Sequence, residues 1–166
     1  DSIACKAVGT QTVSRIPYIS PYSFDNISVR LNGALANKRA CKLKYITTSS
    51  VNNKRLSYSY ALVFHDPTNT IPAHIAGESP YFKVTIKNEN TWLELASCSS
   101  YSFNPLSAQA SDSLENSVTA TGDPVKFKKW IYNTVDLSSL PAGTPVSINF
   151  EVGGCTTGGH YSYAYV

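Results

Sequence analysis

Charged residues are scarce in this sequence. Aspartate, glutamate, lysine and arginine make up 15% of its 166 residues, against roughly 25% in an average soluble protein. The formal net charge is only +3, and the basic residues are scattered rather than gathered in a dense patch. A nucleic-acid-binding surface needs such a patch, so the composition argues against a nucleic-acid partner.

Long apolar runs and a leader segment are also missing. No run of about 18 apolar residues is present, so the sequence predicts no membrane-spanning helix and no membrane insertion. The N-terminus lacks the basic and then apolar segments of a secretory signal peptide. Val166 ends the sequence within a strand-like pattern, which is unusual for a natural terminus. We therefore expect one domain over residues 1–166, excised from a longer surface protein.

The sequence lacks the motifs of common enzyme sites. No G-x-S-x-G nucleophile elbow occurs, and the histidines do not have the helical spacing of H-E-x-x-H. A glycosidase needs two carboxylates about 5–9.5 Å apart, and no acidic pair is marked by its context. The sequence therefore predicts a protein that is not an enzyme. A hydrolase with carboxylates in its long loops is the weaker alternative.

What the sequence does have is an alternation of apolar and polar residues with a period of two, the pattern of half-buried β-strands. The clearest stretches are RLSYSYALVF (55–64), YFKVTIK (81–87) and VSINFEV (146–152). Prolines separate these runs, and no stretch shows a convincing helical period. Eight to ten strands at regular spacing predict an all-β domain, a jelly-roll β-sandwich.

Two long connections interrupt the pattern, at residues 65–80 and 102–124. Such connections often carry function. Within the second, apolar residues fall four apart in PLSAQASDSLENSV (105–118). Serine and asparagine are poor helix-interior residues, so a short helix and a polar loop both remain open.

The four cysteines lack the short paired spacing of a zinc site. An even count in a chain rich in serine, threonine and tyrosine predicts two disulfides and an oxidising compartment. Three connectivities exist. We favour Cys5–Cys41 and Cys98–Cys155, because each pair lies within one half of the chain. Buried free thiols are the alternative.

The last fourteen residues read GGCTTGGHYSYAYV. They predict a tight glycine-rich connection and a returning strand that opens at His160. We expect His160 to be buried and to support a site, with direct ligand contact and catalysis as weaker alternatives. Tyr161, Tyr163 and Tyr165 share one face of that strand. They form either a stripe of core residues or a platform on which sugar rings stack.

The two tryptophans are both expected to be core anchors. Trp130 follows the basic run KFKK (126–129), which could form a rim that contacts acidic glycans.

The long connections contain the candidate ligand-binding residues. Carboxylates with loop carbonyls suit calcium, so Asp66 and Glu78 are candidate calcium ligands. A transition metal is a weaker alternative, and a solvated loop without metal is a third interpretation. The predicted ligand-binding residues of both connections are Asp66, His74, Glu78, Asn104 and Asp112.

Three segments follow one another in a distinctive order: SYSYALVFHDP, ESPYFKVTI and WIYNTVDLSSLPAGTPVSINFEVGGCTTGGHYSYAYV. This order resembles a domain of large secreted and cell-surface proteins of the Bacteroidetes, which are adhesin-like proteins of the gliding-motility type. The resemblance covers about residues 56–166. It implies an extracellular sandwich that is galactose-binding-like in shape, with a glycan-binding or adhesive role. It carries no established catalytic residue.

The sequence thus predicts a non-catalytic adhesion or recognition module, secreted or at the cell surface. Its predicted partners are a glycan or another surface and the neighbouring domains of the same chain, and calcium is the only candidate cofactor. The alternative is a structural spacer or assembly domain that packs end to end or pairs through an edge strand.

Overall fold

The computed structural model describes residues 6–7, 28–33, 38–65, 78–95, 101–105, 114–118 and 122–166. These residues form ten β-strands. The strands are β1 (Lys6–Ala7), β2 (Val29–Leu31), β3 (Ala40–Thr48), β4 (Arg55–His65), β5 (Tyr81–Asn88), β6 (Tyr101–Phe103), β7 (Glu115–Val118), β8 (Pro124–Asp136), β9 (Pro145–Gly153) and β10 (Ser162–Tyr165). None of the described segments forms a helix long and apolar enough to cross a membrane.

The strands form two antiparallel sheets, in the orders β1-β2-β10-β4-β8-β7 and β3-β9-β5-β6. Without the outer strands β1 and β7, each sheet has four strands. The chain crosses from one sheet to the other at every connection among these eight strands except β5 to β6. This connectivity is that of a jelly roll, so the predicted fold is confirmed.

The main core lies between the two sheets and follows the predicted alternation. Every second residue of β4, β5 and β9 points inward, and the register places Val84 opposite Phe150 and Ile86 opposite Ile148. These side chains are at most 5% exposed. Burying a side chain of this kind contributes about 1.5–3 kcal/mol. The core residues of these strands include Tyr60, Leu62, Phe64, Phe82, Val84, Ile86, Val146, Ile148, Phe150 and Val152.

A second apolar cluster lies on the outer side of the six-stranded sheet, which we call the tyrosine face. Trp130 is 7% exposed, and Tyr161, Tyr163 and Tyr165 are at most 5% exposed. The members of this face are Ala61, Val63, Val125, Phe127, Trp130, Tyr161, Tyr163 and Tyr165. The core interpretation of the tyrosine stripe and of Trp130 is therefore confirmed, and the interpretation of the stripe as an exposed platform is wrong.

The second long connection contains a strand rather than a helix at its end. Glu115–Val118 forms β7, which pairs antiparallel with the first residues of β8. The helical interpretation is therefore wrong over these four residues, because strand pairing overrides the weak four-residue spacing of apolar side chains. Residues 106–113, which include Asp112, lie outside the described residues.

The glycine-rich segment after β9 joins two strands of different sheets, so it is an arch rather than a hairpin. Hydrogen bonds hold it. The Gly154 N–H donates to the Arg39 carbonyl at 2.9 Å, and the Cys155 N–H donates to the His160 carbonyl at 3.0 Å. Gly158 has a φ of 88°, a conformation in which glycine carries no steric penalty.

The predicted disulfides Cys5–Cys41 and Cys98–Cys155 are corrected by the structure. Cys41 and Cys155 are both buried and free, while Cys5 and Cys98 lie outside the described residues. Cys41 packs in the core between the sheets. The Cys155 sulfur lies 2.7 Å from the Thr157 hydroxyl. Burial alone would raise the pKa of the Cys155 thiol, but hydrogen bonds from Thr157 and nearby backbone N–H groups lower it.

Candidate functional site

The outer side of the four-stranded sheet is polar, and we call it the lysine face. Its central strand β9 directs Ser147, Asn149 and Glu151 outward, each between one residue of β3 and one of β5. The three rows across the sheet are Lys42–Glu151–Lys83, Lys44–Asn149–Thr85 and Ile46–Ser147–Lys87. From Tyr81 to Lys87 the face extends about 20 Å along β5. This surface is long enough for an extended ligand.

The middle of the lysine face is a fixed row of polar groups. Ser147 is fully buried, and Asn149 and Thr85 are 6% and 8% exposed. The Asn149 amide donates to the Ser147 hydroxyl at 3.1 Å and to the Thr85 carbonyl at 3.5 Å. Ser147 in turn donates to Glu89 Oε1 at 2.6 Å. Buried polar groups that bond one another in this way hold a single arrangement.

Glu89 joins this row to the exposed part of the face. Lys44 Nζ donates to Glu89 Oε2 at 2.5 Å and lies 5.3 Å from the centre of the Trp92 ring. The bond from Lys44, and then the bond from Ser147, lowers the pKa of the Glu89 carboxyl below its usual value. The row therefore continues from Asn149 through Ser147, Glu89 and Lys44 to an aromatic ring.

Trp92 is 67% exposed, so its expected role as a core anchor is wrong. It lies in the turn after β5, where its N–H donates to the Asn88 carbonyl at 2.8 Å and the Asn88 N–H donates to the Leu93 carbonyl at 3.0 Å. The Asn90 N–H donates to Asn88 Oδ1 at 2.9 Å. Trp92 has a φ of 61°, a left-handed conformation that costs a bulky residue about 1–2 kcal/mol.

The other end of the lysine face is closed by Tyr81. Its ring covers Gly153, since a Cβ at position 153 would lie 2.4 Å from Cε1 of Tyr81. The Tyr81 hydroxyl donates to Glu151 Oε1 at 2.6 Å. Burial of the ring, and then this bond to the carboxylate, raises the pKa of Tyr81 to about 12. The phenol is therefore a fixed donor at neutral pH.

Two of the predicted ligand-binding residues lie at the end of the sandwich opposite to Trp92. Glu78 precedes β5, and its carbonyl accepts a bond from the Thr156 N–H at 3.1 Å. Asn104 follows Phe103, which pairs with Phe82 near the start of β5. Trp92 follows the end of the same strand, about 20–25 Å away. Asp66, His74 and Asp112 lie outside the described residues.

His160 is 3% exposed, which confirms its predicted burial; its role in supporting a ligand site stays a prediction. Its ring centre lies 4.9 Å from that of His65, and His65 stacks on Tyr161. Burial, and then the charge of Asp123, raises the pKa of Tyr161 to about 12. The end of the sandwich near Glu78 is thus lined by packed aromatic rings.

No cluster of three or more histidine, cysteine, aspartate or glutamate residues suited to a metal ion occurs within the described ranges. The predicted calcium site needs Asp66, which these ranges do not include, so it stays a prediction.

The basic run before Trp130 already has partners within the protein. Lys126 donates to the Pro105 carbonyl at 3.3 Å, and Lys129 forms a 2.9 Å ion pair with Glu115.

Sequence reasoning placed the outward residues of β5 and β9 correctly but did not identify them as a site. The run NENTW (88–92), a polar turn that ends in tryptophan directly after a strand, was the available indication. An aromatic residue in such a turn cannot follow the alternation of either strand. It is therefore a candidate for an exposed position.

Comparison with known proteins gives only distant likenesses. No family model matches this chain, and no curated protein matches it. Solved structures similar to it include a carbohydrate-binding module from a study of promiscuous specificity in the β-sandwich superfamily. That match has 11% identity and a TM-score of 0.36, and it covers 84% of this chain and 44% of the other. This chain therefore spans less than half of that protein's length.

Two further similar structures are also carbohydrate-binding modules. One is CBM27-1 of Caldicellulosiruptor saccharolyticus in complex with mannohexaose, with 13% identity, a TM-score of 0.34, and coverage of 99% of this chain and 82% of the other. The second is CBM28, described as specific for non-crystalline cellulose, with 11% identity, a TM-score of 0.36, and coverage of 84% and 72%. Scores this low leave the function of this chain to be inferred from its own residues.

Proposed function

We propose that this domain binds a glycan on the lysine face, with the Trp92 ring as the surface on which a sugar stacks. The observation that carries the proposal is the exposure of Trp92 in a strained backbone conformation. Strain of this kind persists only where the surrounding structure enforces it, and it concentrates at functional sites. Two backbone hydrogen bonds of Asn88, and one from the Asn90 N–H to the Asn88 side chain, enforce it here.

The polar row beneath Trp92 supplies the second requirement of sugar recognition, which is fixed hydrogen-bonding groups. Sugar rings present apolar C–H surfaces to aromatic faces and hydroxyls to polar side chains. Lys44 lies over one face of the ring and is bonded to Glu89, and Tyr81 and Glu151 lie at the far end of the lysine face. A ligand that spans the face therefore meets an aromatic platform and charged hydrogen-bonding groups along one line.

The proposed activity is binding without catalysis. Glu89 bonds Ser147, and Ser147 lies four residues from Glu151 along β9, a distance of about 13 Å. For the pair Glu89 and Glu151, this spacing along β9 is larger than the roughly 5–9.5 Å between the two carboxylates of a glycosidase. The proposal includes a location on a secreted or cell-surface protein, where weak single sites gain strength from multiple copies.

The test is binding of soluble polysaccharides to the full chain, measured by affinity electrophoresis and then by calorimetry on the best ligand. Trp92→Ala is expected to weaken binding about tenfold or more, because it removes the stacking surface. The matched control is Tyr132→Ala. Tyr132 is a 51% exposed aromatic residue on β8, on the outer side of the other sheet, and its removal should leave binding unchanged.

The same assay distinguishes the lysine face from the end of the sandwich near Glu78. The predicted set Asp66, His74, Glu78, Asn104 and Asp112, with calcium, would place the ligand at that end. Glu78→Gln, Asn104→Ala and a calcium chelator therefore form the second arm. Loss of binding in this arm, with Trp92→Ala binding normally, would overturn the proposal.

A further inference from the structure

The Trp92 ring and the Lys44 side chain extend toward each other along the lysine face. β5 ends at Asn88, which lies opposite Val146 of β9, and Val146 lies opposite Thr47 of β3. The turn that carries Trp92 therefore begins beyond the row of Thr47. Lys44 precedes Thr47 by three residues, roughly 10 Å along β3, yet its ammonium lies 5.3 Å from the centre of the indole.

The ring lies against this cation rather than over the nearest apolar side chain of the face. Ile46 points to the same side of β3 as Lys44 and stands between it and the turn, but it is 53% exposed. A ring positioned by apolar burial would cover Ile46, because such burial removes apolar surface from water. Indole is the aromatic ring that attracts a cation most strongly. The contact with Lys44 therefore accounts for the position of the Trp92 ring.

Lys44 is itself held in place from below. Its ammonium donates to one oxygen of Glu89, and the other oxygen of Glu89 accepts a bond from the Ser147 hydroxyl at 2.6 Å. The Lys44 side chain is 34% exposed and the Glu89 side chain 13%, while Ser147 is fully buried. A continuous line of contacts thus runs from the buried surface of the sheet to one face of the indole.

The charges around Glu89 keep its carboxylate ionised at neutral pH. Of the charged groups, Lys44 on β3 lowers the pKa of Glu89 most, through its hydrogen bond, and Lys87 on β5 lowers it further. Glu94 lies opposite Lys87. Glu151, the outward carboxylate of β9, lies at the other end of the face. Two cations therefore face Glu89, and the bond that holds Lys44 is present above about pH 4.5.

We infer that Lys44 is a positioning residue of the glycan site, which holds the Trp92 indole over the lysine face and leaves the opposite face of the ring for a sugar. This inference rests on the proposed function. A sugar that stacks on a ring of fixed orientation does not have to order that side chain as it binds, and the cost of association is lower. Without Lys44, the indole rotates about its side-chain bonds.

The test is NMR relaxation of the two tryptophan indole N–H groups in the full chain, without any glycan. Trp92→Ala identifies the Trp92 signal, and the buried Trp130 is the internal control. The order parameter of the Trp92 indole should be about 0.85 in the natural chain and below about 0.6 in Lys44→Met. Lys44→Arg should preserve the order, because a guanidinium group also binds carboxylates and stacks on aromatic faces.

Lys42→Met is the matched control, since Lys42 lies on the same side of β3, one row farther from the turn. This variant should leave the order of the Trp92 indole unchanged. Equal order in the natural chain and in Lys44→Met would overturn the inference, whether the ring is rigid in both or mobile in both.

The pH dependence separates positioning of the ring from stability of the fold. As the pH falls below 4.5 and through the folded-state pKa of Glu89, the carboxylate that holds Lys44 is lost. The order of the Trp92 indole should then fall in the natural chain but not in Lys44→Met, over the range in which the Trp130 signal is unchanged. Order that is independent of pH in the natural chain would contradict the inference.

The last arm measures binding of the polysaccharide that affinity electrophoresis selects for the natural chain. Lys44→Met should bind it about threefold more weakly, the size expected for loss of an exposed cation–π contact, and Lys44→Arg should bind it normally. Weaker binding without loss of ring order would show that Lys44 contacts the sugar directly, which would overturn the inference. If the natural chain binds no polysaccharide, the proposed function fails, and the relaxation data still decide whether Lys44 positions the ring.

Discussion

On the outer sides of both sheets, every second residue of a strand points away from the main core. On one side these residues are buried and aromatic, and on the other they are polar. On the tyrosine face, Tyr163 and Tyr165 point away from the main core and are nevertheless 1% exposed. On the lysine face, the corresponding residues of β9 are Ser147, Asn149 and Glu151, beneath an exposed tryptophan. A row of aromatic residues along a strand thus marks a covered surface in this protein. A single aromatic residue in a polar turn marks the surface that is open to a ligand.

The two tryptophans give the largest expected contrast between these faces. Trp130→Ala should lower the free energy of unfolding by about 3–5 kcal/mol, because it removes a buried ring and leaves a cavity. Trp92→Ala should change it by no more than about 0.5 kcal/mol, as for other exposed positions. Urea unfolding of both variants measures the contrast, and equal losses would show that Trp92 is a core residue.

The second largest effect is expected at Gly153, where the lysine face admits no side chain. Gly153→Ala should cost about 1–3 kcal/mol, because the added methyl group forces the Tyr81 ring to move. The Tyr81 pKa should then fall from about 12 toward its ordinary value, as absorbance during alkaline titration would record. Gly159→Ala is the control, since a Cβ at position 159 meets no atom within 4 Å. Similar losses in both variants would contradict this account of Gly153.

A smaller difference in the free energy of unfolding should separate the effect of the Trp92 backbone conformation from the effect of its ring. Trp92→Gly and Trp92→Ala both remove the indole, but only glycine adopts a φ near 61° without steric cost. The glycine variant should therefore be more stable than the alanine variant by about 1 kcal/mol. Unfolding measurements on the pair test this, and the reverse order would show that the conformation carries no strain. Glycan binding should be weak in both.

The smallest effect concerns the acid dependence of the lysine face. The Lys44 and Ser147 bonds lower the pKa of Glu89 below 4.5 in the folded state, so near that pH the unfolded chain binds more protons at this position. The stabilisation by Glu89 is therefore complete above about pH 4.5 and is lost as the pH falls through the folded-state pKa. Glu89→Gln should be less stable than the natural chain at pH 7, and this difference should shrink below pH 4.5. A difference that is independent of pH would contradict the assignment.

The fold follows from the sequence because alternation, proline placement and strand count all point to one architecture. Phe82, Val84 and Ile86 were assigned to the core by alternation alone, and the structure places them there. The alternation of β4 becomes apolar on both faces from Ala61 onward, which already indicates a sheet covered on both sides at that position.

The site could not be derived in the same way. Glu89, Lys44 and Ser147 lie far apart in the chain, and they meet only because the register of β3 and β5 on β9 is set by packing of the whole sandwich. The disulfide prediction was wrong because an even number of cysteines does not require pairing. A thiol such as Cys155 is accommodated equally well by hydrogen bonds to Thr157 and to the backbone.

The most direct measurement is the fluorescence of Trp92 in a Trp130→Phe variant, where it is the only tryptophan of the chain. Titration with a polysaccharide that binds the natural chain should shift the emission to shorter wavelength and protect the indole from iodide quenching, because a sugar ring covers it. Saturable binding by calorimetry, with the emission and quenching unchanged, would contradict the placement of the glycan on the lysine face.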